Sequence, residues 1–203
     1  MTLDQYRSLA DRALDPVVTV AVRIGLTPNA ISVLAFGLAA AAAVSYYLAV
    51  PGGLLYLLGA VLVFFNGVLD VLDGMVARRT ETASKAGDLL DHVLDRYADI
   101  VVIAGLAAGV ERYALGLAAV TGVLMTSYLG TQAQAVGLDR VYGGLVGRAD
   151  RLAIIGVVTA IAAFTTVSAE GLSLVALLLV FFAVVGHFTA LQRFYYSMQA
   201  LGE

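Results

Sequence analysis

Three features of the sequence predict an all-α integral membrane protein, built as an N-terminal amphipathic surface helix plus six transmembrane helices. The chain of 203 residues is 61% hydrophobic and only 13% charged, about half the charge of an ordinary soluble domain. Its mean hydropathy is strongly positive. Apolar stretches of about 20 residues recur along it, each long enough to cross a bilayer as a helix.

Residues 4–24 mix charges with Leu3, Tyr6, Leu9, Leu14, Val18 and Val22, roughly one apolar residue per turn. That pattern predicts an amphipathic helix on the membrane surface. Asp4, Arg7, Asp11, Arg12 and Asp15 interrupt it and argue against a cleavable signal. Thr27-Pro28-Asn29 then breaks the pattern and caps the next helix. Six spans follow, at about 30–50, 54–79, 86–109, 112–136, 150–168 and 172–197. Pro51-Gly52-Gly53, Gly109–Arg112 and Ala169–Gly171 form tight turns on one side. Arg7, Arg12, Arg23, Arg78, Arg79, Lys85, Arg96, Arg140, Arg148, Arg151 and Arg193 fall on or near the other side, and Arg112 alone falls on the first. The bias makes the basic side cytoplasmic, with both termini there, in a cell-membrane protein. Residues 1–203 read as one membrane domain, a surface helix at 1–26 and a bundle at 30–200, with no internal repeat.

The absence of cysteine excludes disulfides and thiolate metal sites. His92 and His187 are too far apart to suggest zinc. No nucleic-acid partner is expected.

Chemistry concentrates between Asp70 and Asp95. Asp70 and Asp73 end the second span, and Asp88, Asp91 and Asp95 begin the third. Charges inside spans are costly and mark function. Asp70 and Asp73 are three apart and Asp91 and Asp95 four apart, so each pair shares a helix face. A short loop makes the two helices antiparallel neighbours, which brings four carboxylates to one depth. Such a cluster needs compensation, and oxygen-only ligands suit Mg²⁺, Mn²⁺ or Ca²⁺, as one or two ions. Gly74, Ala77 and Gly87 lie one turn from these acids and let a ligand approach the backbones. Arg78 can reach phosphate oxygens. Metals, an arginine and a wall of small residues suit a pyrophosphate. Asp99 reads as a polar packing contact, and His92 as facing a neighbouring helix or headgroups.

The pattern Asp70-x2-Asp73-Gly74-x2-Ala77-Arg78-x8-Gly87-x3-Asp91-x3-Asp95 resembles, at every fixed position, the signature of the CDP-alcohol phosphotransferase family. The resemblance covers most of the chain and implies an enzyme of phospholipid biosynthesis. It transfers a phospho-lipid group from CDP-diacylglycerol or CDP-archaeol to an alcohol and releases CMP. It also implies Asp70, Asp73 and Asp91 as metal ligands, with Asp95 near the metals as general base. Gly74, Ala77, Arg78 and Gly87 would cradle the CDP moiety, with Asn29 a further contact. Two Mg²⁺ or Mn²⁺ ions and a homodimer are implied as well.

The acceptor is less sharply marked. Gly143-Gly144-Leu145-x-x-Arg148-x-Asp150-Arg151 resembles the stretch opening the fifth span in the phosphatidylinositol-phosphate and archaetidylinositol-phosphate synthase branch, and Arg193 resembles a basic residue of that branch. Arg148, Arg151 and Arg193 could bind the phosphate of an acceptor such as inositol phosphate. That branch usually carries a lysine and an arginine soon after a Ser-Tyr pair. Here Ser127-Tyr128 is followed by Leu129-Gly130-Thr131-Gln132-Ala133-Gln134, without charge. Glycerol phosphate is the competing acceptor. Two other classes also use intramembrane acids: a prenyltransferase with two separated aspartate motifs, and a cation transporter with the aspartates as its ion site.

Overall fold

The computed structural model describes residues 7–138 and 146–202. Among them run α1 (Arg7–Arg23), α2 (Pro28–Tyr47), α3 (Leu55–Arg79), α4 (Lys85–Gly109), α5 (Tyr113–Ala135), α6 (Arg148–Ala162) and α7 (Leu174–Gly202). A small antiparallel hairpin, β1 (Ser168–Ala169) and β2 (Leu172–Ser173), precedes α7. Leu3, Asp4, Tyr6, Arg140, Gly143, Gly144 and Leu145 lie outside the described residues, as do the side chains of Arg7, Leu9 and Asp11.

Capping chemistry sets several boundaries. Thr27 accepts a hydrogen bond from the Ala30 amide at 3.3 Å, and Pro28 opens α2 where a missing N–H costs nothing. Ser84 accepts from the Gly87 amide at 3.1 Å and starts α4. Asp150 reaches back to the Gly147 amide at 2.9 Å and fixes the start of α6. The fifth expected span, at 150–168, corresponds to α6, which stops short of it at Ala162. The β-branched run Thr165-Thr166-Val167 follows, with Thr165 accepting from the Val167 amide at 3.2 Å. Glu170 and Gly171, at φ 51° and 74°, then turn the hairpin.

Length and apolarity qualify α2, α3, α5 and α7 to cross a membrane. The first half of α4 is charged, and α6 spans only about 22 Å at 1.5 Å per residue. The protein is a multi-pass membrane protein.

Packing follows small residues, as expected where lipid offers no hydrophobic drive between helices. α2 packs along both α3 and α4 through an alanine face that includes the fully buried Ala39 and Ala42. A Cβ on Gly105 of α4 would lie 2.4 Å from the Ala43 carbonyl oxygen, so the two backbones touch there. Gly122 and Gly186 bring α5 and α7 together in the same way. Buried hydroxyls cross-link the bundle: Tyr46 with Thr159 at 3.0 Å, and Thr126 with the Gly186 carbonyl at 2.9 Å. α1 buries Val18 and Ala21 against Leu72, Met75 and Val76, the last three on α3. Arg79 anchors it by pairing with Asp15 and donating to Thr19 at 2.9 Å.

The short loop predicted α3 and α4 as antiparallel neighbours, and acids of the two helices do come together. Each helix packs mainly on α2, and the two make little direct backbone contact with one another. Carboxylates on both helices need room between the backbones, and this arrangement provides it.

Candidate active site

α3 and α4 each bring acids to the space between them. Carboxylate oxygens of Asp70, Asp91 and Asp95 lie within 4.8 Å of one another, all three partly exposed. Asp73, on the same α3 face, is not part of that group. Its carboxylate is buried and accepts a hydrogen bond from Ser32 of α2 at 2.6 Å. His92 places Nδ1 3.7 Å from both Asp88 and Asp91. Asp88 stays largely exposed at the start of α4, where a negative charge suits the helix dipole.

The glycines beside the acids have side chains rather than backbones as their neighbours. A Cβ on Gly87 would sit 3.2 Å from the Asn29 side-chain oxygen, which places Asn29 beside the start of α4. A Cβ on Gly74 would meet the Arg78 guanidinium at 3.4 Å, so Arg78 lies back along the α3 face. Ala77 sits between them, partly buried. Arg78 also lines a cavity of about 640 Å³ against α1, together with Arg12, Asp15 and Met75.

A larger cavity of about 1190 Å³ runs between α3 and α6. Leu57, Val61, Phe64, Leu152 and Val157 line its apolar part; Asp70, Arg96, Ser127, Arg148, Arg151 and Arg193 line its polar part. The three arginines singled out from the sequence share this cavity, each with its own partner. Arg148 bridges the acid group, 2.5 Å from Asp70 and 2.7 Å from Asp95. Arg151 forms a two-pronged pair with Asp99, Nε to Oδ1 at 3.2 Å and Nη2 to Oδ2 at 2.6 Å. Arg193 donates to the Thr126 carbonyl at 2.7 Å.

Four groups here carried little signal in the sequence. Ser32 is a neutral residue in an apolar helix, distant in sequence from Asp73. Arg96 donates to Ser127 and lies 3.5 Å from Asp99 and 3.8 Å from Asp95. Its spacing to Asp99, one turn on, was the available clue. Ser127 itself drew notice only for the residues that follow it. Asp99, read as a packing contact, is the buried counter-ion of Arg151.

The donor set is oxygen-only, compact and rich in negative charge, and it fits a hard divalent cation. An apolar groove ending at a cluster of acids and arginines suits an amphiphile with a phosphorylated head.

Comparison with known proteins agrees with that reading. The family model for CDP-alcohol phosphatidyltransferase matches residues 25–192. An archaetidylinositol phosphate synthase from Methanothermobacter thermautotrophicus is 35% identical over 98% of this chain and 95% of its own. A phosphatidylinositol phosphate synthase from Mycolicibacterium smegmatis is 35% identical over 69% of this chain and 64% of its own. The crystal structure of Mycobacterium tuberculosis phosphatidylinositol phosphate synthase with CDP-DAG bound superposes with a TM-score of 0.77 at 27% identity, covering 92% of this chain and 94% of that one. The same enzyme has been solved in complex with manganese and citrate, with a TM-score of 0.77 at 26% identity over 90% of this chain and 88% of that one. The bundle and its site are those of a membrane-embedded phosphotransferase of phospholipid biosynthesis. The chain belongs to the CDP-alcohol phosphatidyltransferase family. That membership sets aside the prenyltransferase and transporter readings.

Proposed function

We propose that this enzyme transfers the phospho-lipid group of a CDP-lipid to inositol phosphate, releasing CMP. The observation that carries the reading is one cavity joining an apolar groove to Asp70 of the acid group and to Arg96, Arg148, Arg151 and Arg193. The names of the relatives and the CDP-DAG held by the solved neighbour support it.

Asp70, Asp73 and Asp91, with Asp95 beside them, would hold two divalent ions, Mg²⁺ or Mn²⁺. When bound, such ions neutralise charge on the phosphate oxygens and the leaving group. Asn29, Gly74, Ala77, Arg78 and Gly87 bind the CDP moiety, the small residues by letting its phosphates approach the helices. The apolar wall between α3 and α6 takes the lipid tails, whether diacylglycerol or archaeol. Arg148, Arg151 and Arg193 bind the acceptor's phosphate and orient its free hydroxyl. Asp95 takes the hydroxyl proton, the oxygen bonds to the lipid-bearing phosphorus, and the bond from that phosphorus to the CMP oxygen breaks.

This reading includes a single domain over 1–203, six crossings with both termini cytoplasmic in the cell membrane, and a homodimer. The bias of Arg12, Arg23, Arg78, Arg79, Lys85, Arg148, Arg151 and Arg193 against Arg112 supports the orientation. Glycerol phosphate is the second acceptor to test.

The test is CMP release by the purified chain in detergent with CDP-diacylglycerol or CDP-archaeol and Mg²⁺ or Mn²⁺. Inositol phosphate, glycerol phosphate and free inositol are added singly. Release that needs both metal and inositol phosphate, and stops with a chelator, is expected. Release with glycerol phosphate but none with inositol phosphate would overturn the acceptor assignment.

A further inference from the structure

One buried charge has no part in the chemistry just described. The Asp99 carboxylate sits on α4 one turn beyond Asp95, with its side chain 2% exposed. The Arg151 side chain on α6 is 5% exposed and meets it through two hydrogen bonds. Burying a carboxylate and a guanidinium together is favourable only with good geometry and nearly full hydrogen bonding, and it adds little stability over an apolar pair. Stability alone therefore does not account for an aspartate at this buried position.

The geometry of the pair suggests why. Asp99 takes the Nε proton and one Nη2 proton of Arg151, the side edge of the guanidinium fork. A guanidinium has five N–H donors in a fixed plane. Holding one edge fixes the direction of the other, and Arg151 lines the large cavity. Arg96 flanks the same carboxylate at 3.5 Å and reaches Ser127 on α5, so Asp99 ties α4, α5 and α6 together at the polar end of that cavity. Arg148 lies one turn from Arg151 on α6, so holding Arg151 also sets the rotation that turns Arg148 to Asp70 and Asp95.

We propose that Asp99 is a positioning residue for the acceptor: it holds the Arg151 guanidinium by one edge so that the other faces the acceptor's phosphate. The proposal rests on the reading of a phosphorylated acceptor given above.

The test is the KM for inositol phosphate and for CDP-lipid, measured by CMP release with the full chain. Asp99→Asn raises the KM for inositol phosphate about tenfold, the scale of one charge-assisted hydrogen bond. The KM for CDP-lipid shifts by less than about twofold. Arg151→Gln acts in the same direction, and the double variant's acceptor KM is no worse than that of Arg151→Gln alone, because Asp99 reaches the acceptor through Arg151. A purely structural role would lower the melting temperature and kcat and leave the acceptor KM in place. An unmoved acceptor KM in Asp99→Asn, or effects of the two substitutions that multiply, overturns the proposal. Should Asp99→Asn fail to fold, Asp99→Glu keeps the charge but shifts the carboxylate, and it must raise the same KM or the proposal falls. A wild-type chain that uses only free inositol overturns this proposal together with the phosphorylated-acceptor reading. Wild-type use of inositol phosphate with unmoved variants overturns this proposal alone.

Discussion

Replacing Asp95 by asparagine lowers CMP release by about a thousandfold while CDP-lipid binding stays close to wild type. General-base catalysis contributes roughly 10²- to 10⁴-fold, and asparagine cannot take a proton at this position. It keeps the volume of aspartate and can still accept a hydrogen bond from Arg148, which lies 2.7 Å from the native carboxylate. Packing around α4 is therefore retained. Asp95 also belongs to the three-acid group, so its loss could act through metal affinity alone. The two effects separate on titration with Mg²⁺. A lost base leaves the rate low at saturating metal, and a lost ligand is rescued by it. Turnover near the wild-type rate would remove Asp95 from the role of base, and rescue by excess Mg²⁺ would make it a ligand only.

The second large effect is on stability. Gly105→Ala lowers the melting temperature in detergent by about 5 °C, corresponding to roughly 2 kcal/mol for a chain of this size. The added Cβ would stand 2.4 Å from the Ala43 carbonyl oxygen and 2.6 Å from the Ala43 Cα. Both are backbone atoms of α2, so no side chain can swing aside and a helix must move. Gly37→Ala, where nothing lies within 4 Å of the new methyl, serves as the control and should be neutral or slightly stabilising. Equal melting temperatures for the two variants would show that α2 and α4 do not meet as closely as described. Because the acids of α3 and α4 are both set by α2, Gly105→Ala should also cost activity.

Much of this fold is legible in the sequence, for physical reasons. Long apolar runs mark helices because nothing else satisfies the backbone in lipid. The acids of α3 and α4 could be paired by helical period, and the loop between these helices is too short to separate their facing ends. What escaped was contact between distant segments. Ser32 reaches Asp73 across two helices, and no spacing rule connects them. Arg148 and Arg151 looked alike from the sequence, two basic residues at the opening of a span. Only the packing of α6 on α3 sends one to Asp70 and Asp95 and the other to Asp99. The expectation of α3 and α4 as neighbours comes from loop length, which limits how far two ends can be apart but says nothing about how the rest diverges. The early end of α6 is written in the β-branched run Thr165-Thr166-Val167, which is easily read as the tail of the apolar run before it.

The attachment of α3 and α4 to a common α2 also bears on how such an enzyme can change. α2, α3 and α4 form one tightly packed unit carrying all the clustered acids, and α5 pairs with α7 as another. Arg193 and its carbonyl partner at Thr126 belong wholly to the second unit, while Arg148 and Arg151 stand on α6 between the two. Substitutions at the α5–α7 contact therefore leave the packing of the acid-bearing helices on α2 in place. Because Arg148 of α6 bridges Asp70 and Asp95, α6 travels with the acid-bearing unit, and α5 with α7 is the pair of helices that can be exchanged between relatives with those contacts left in place.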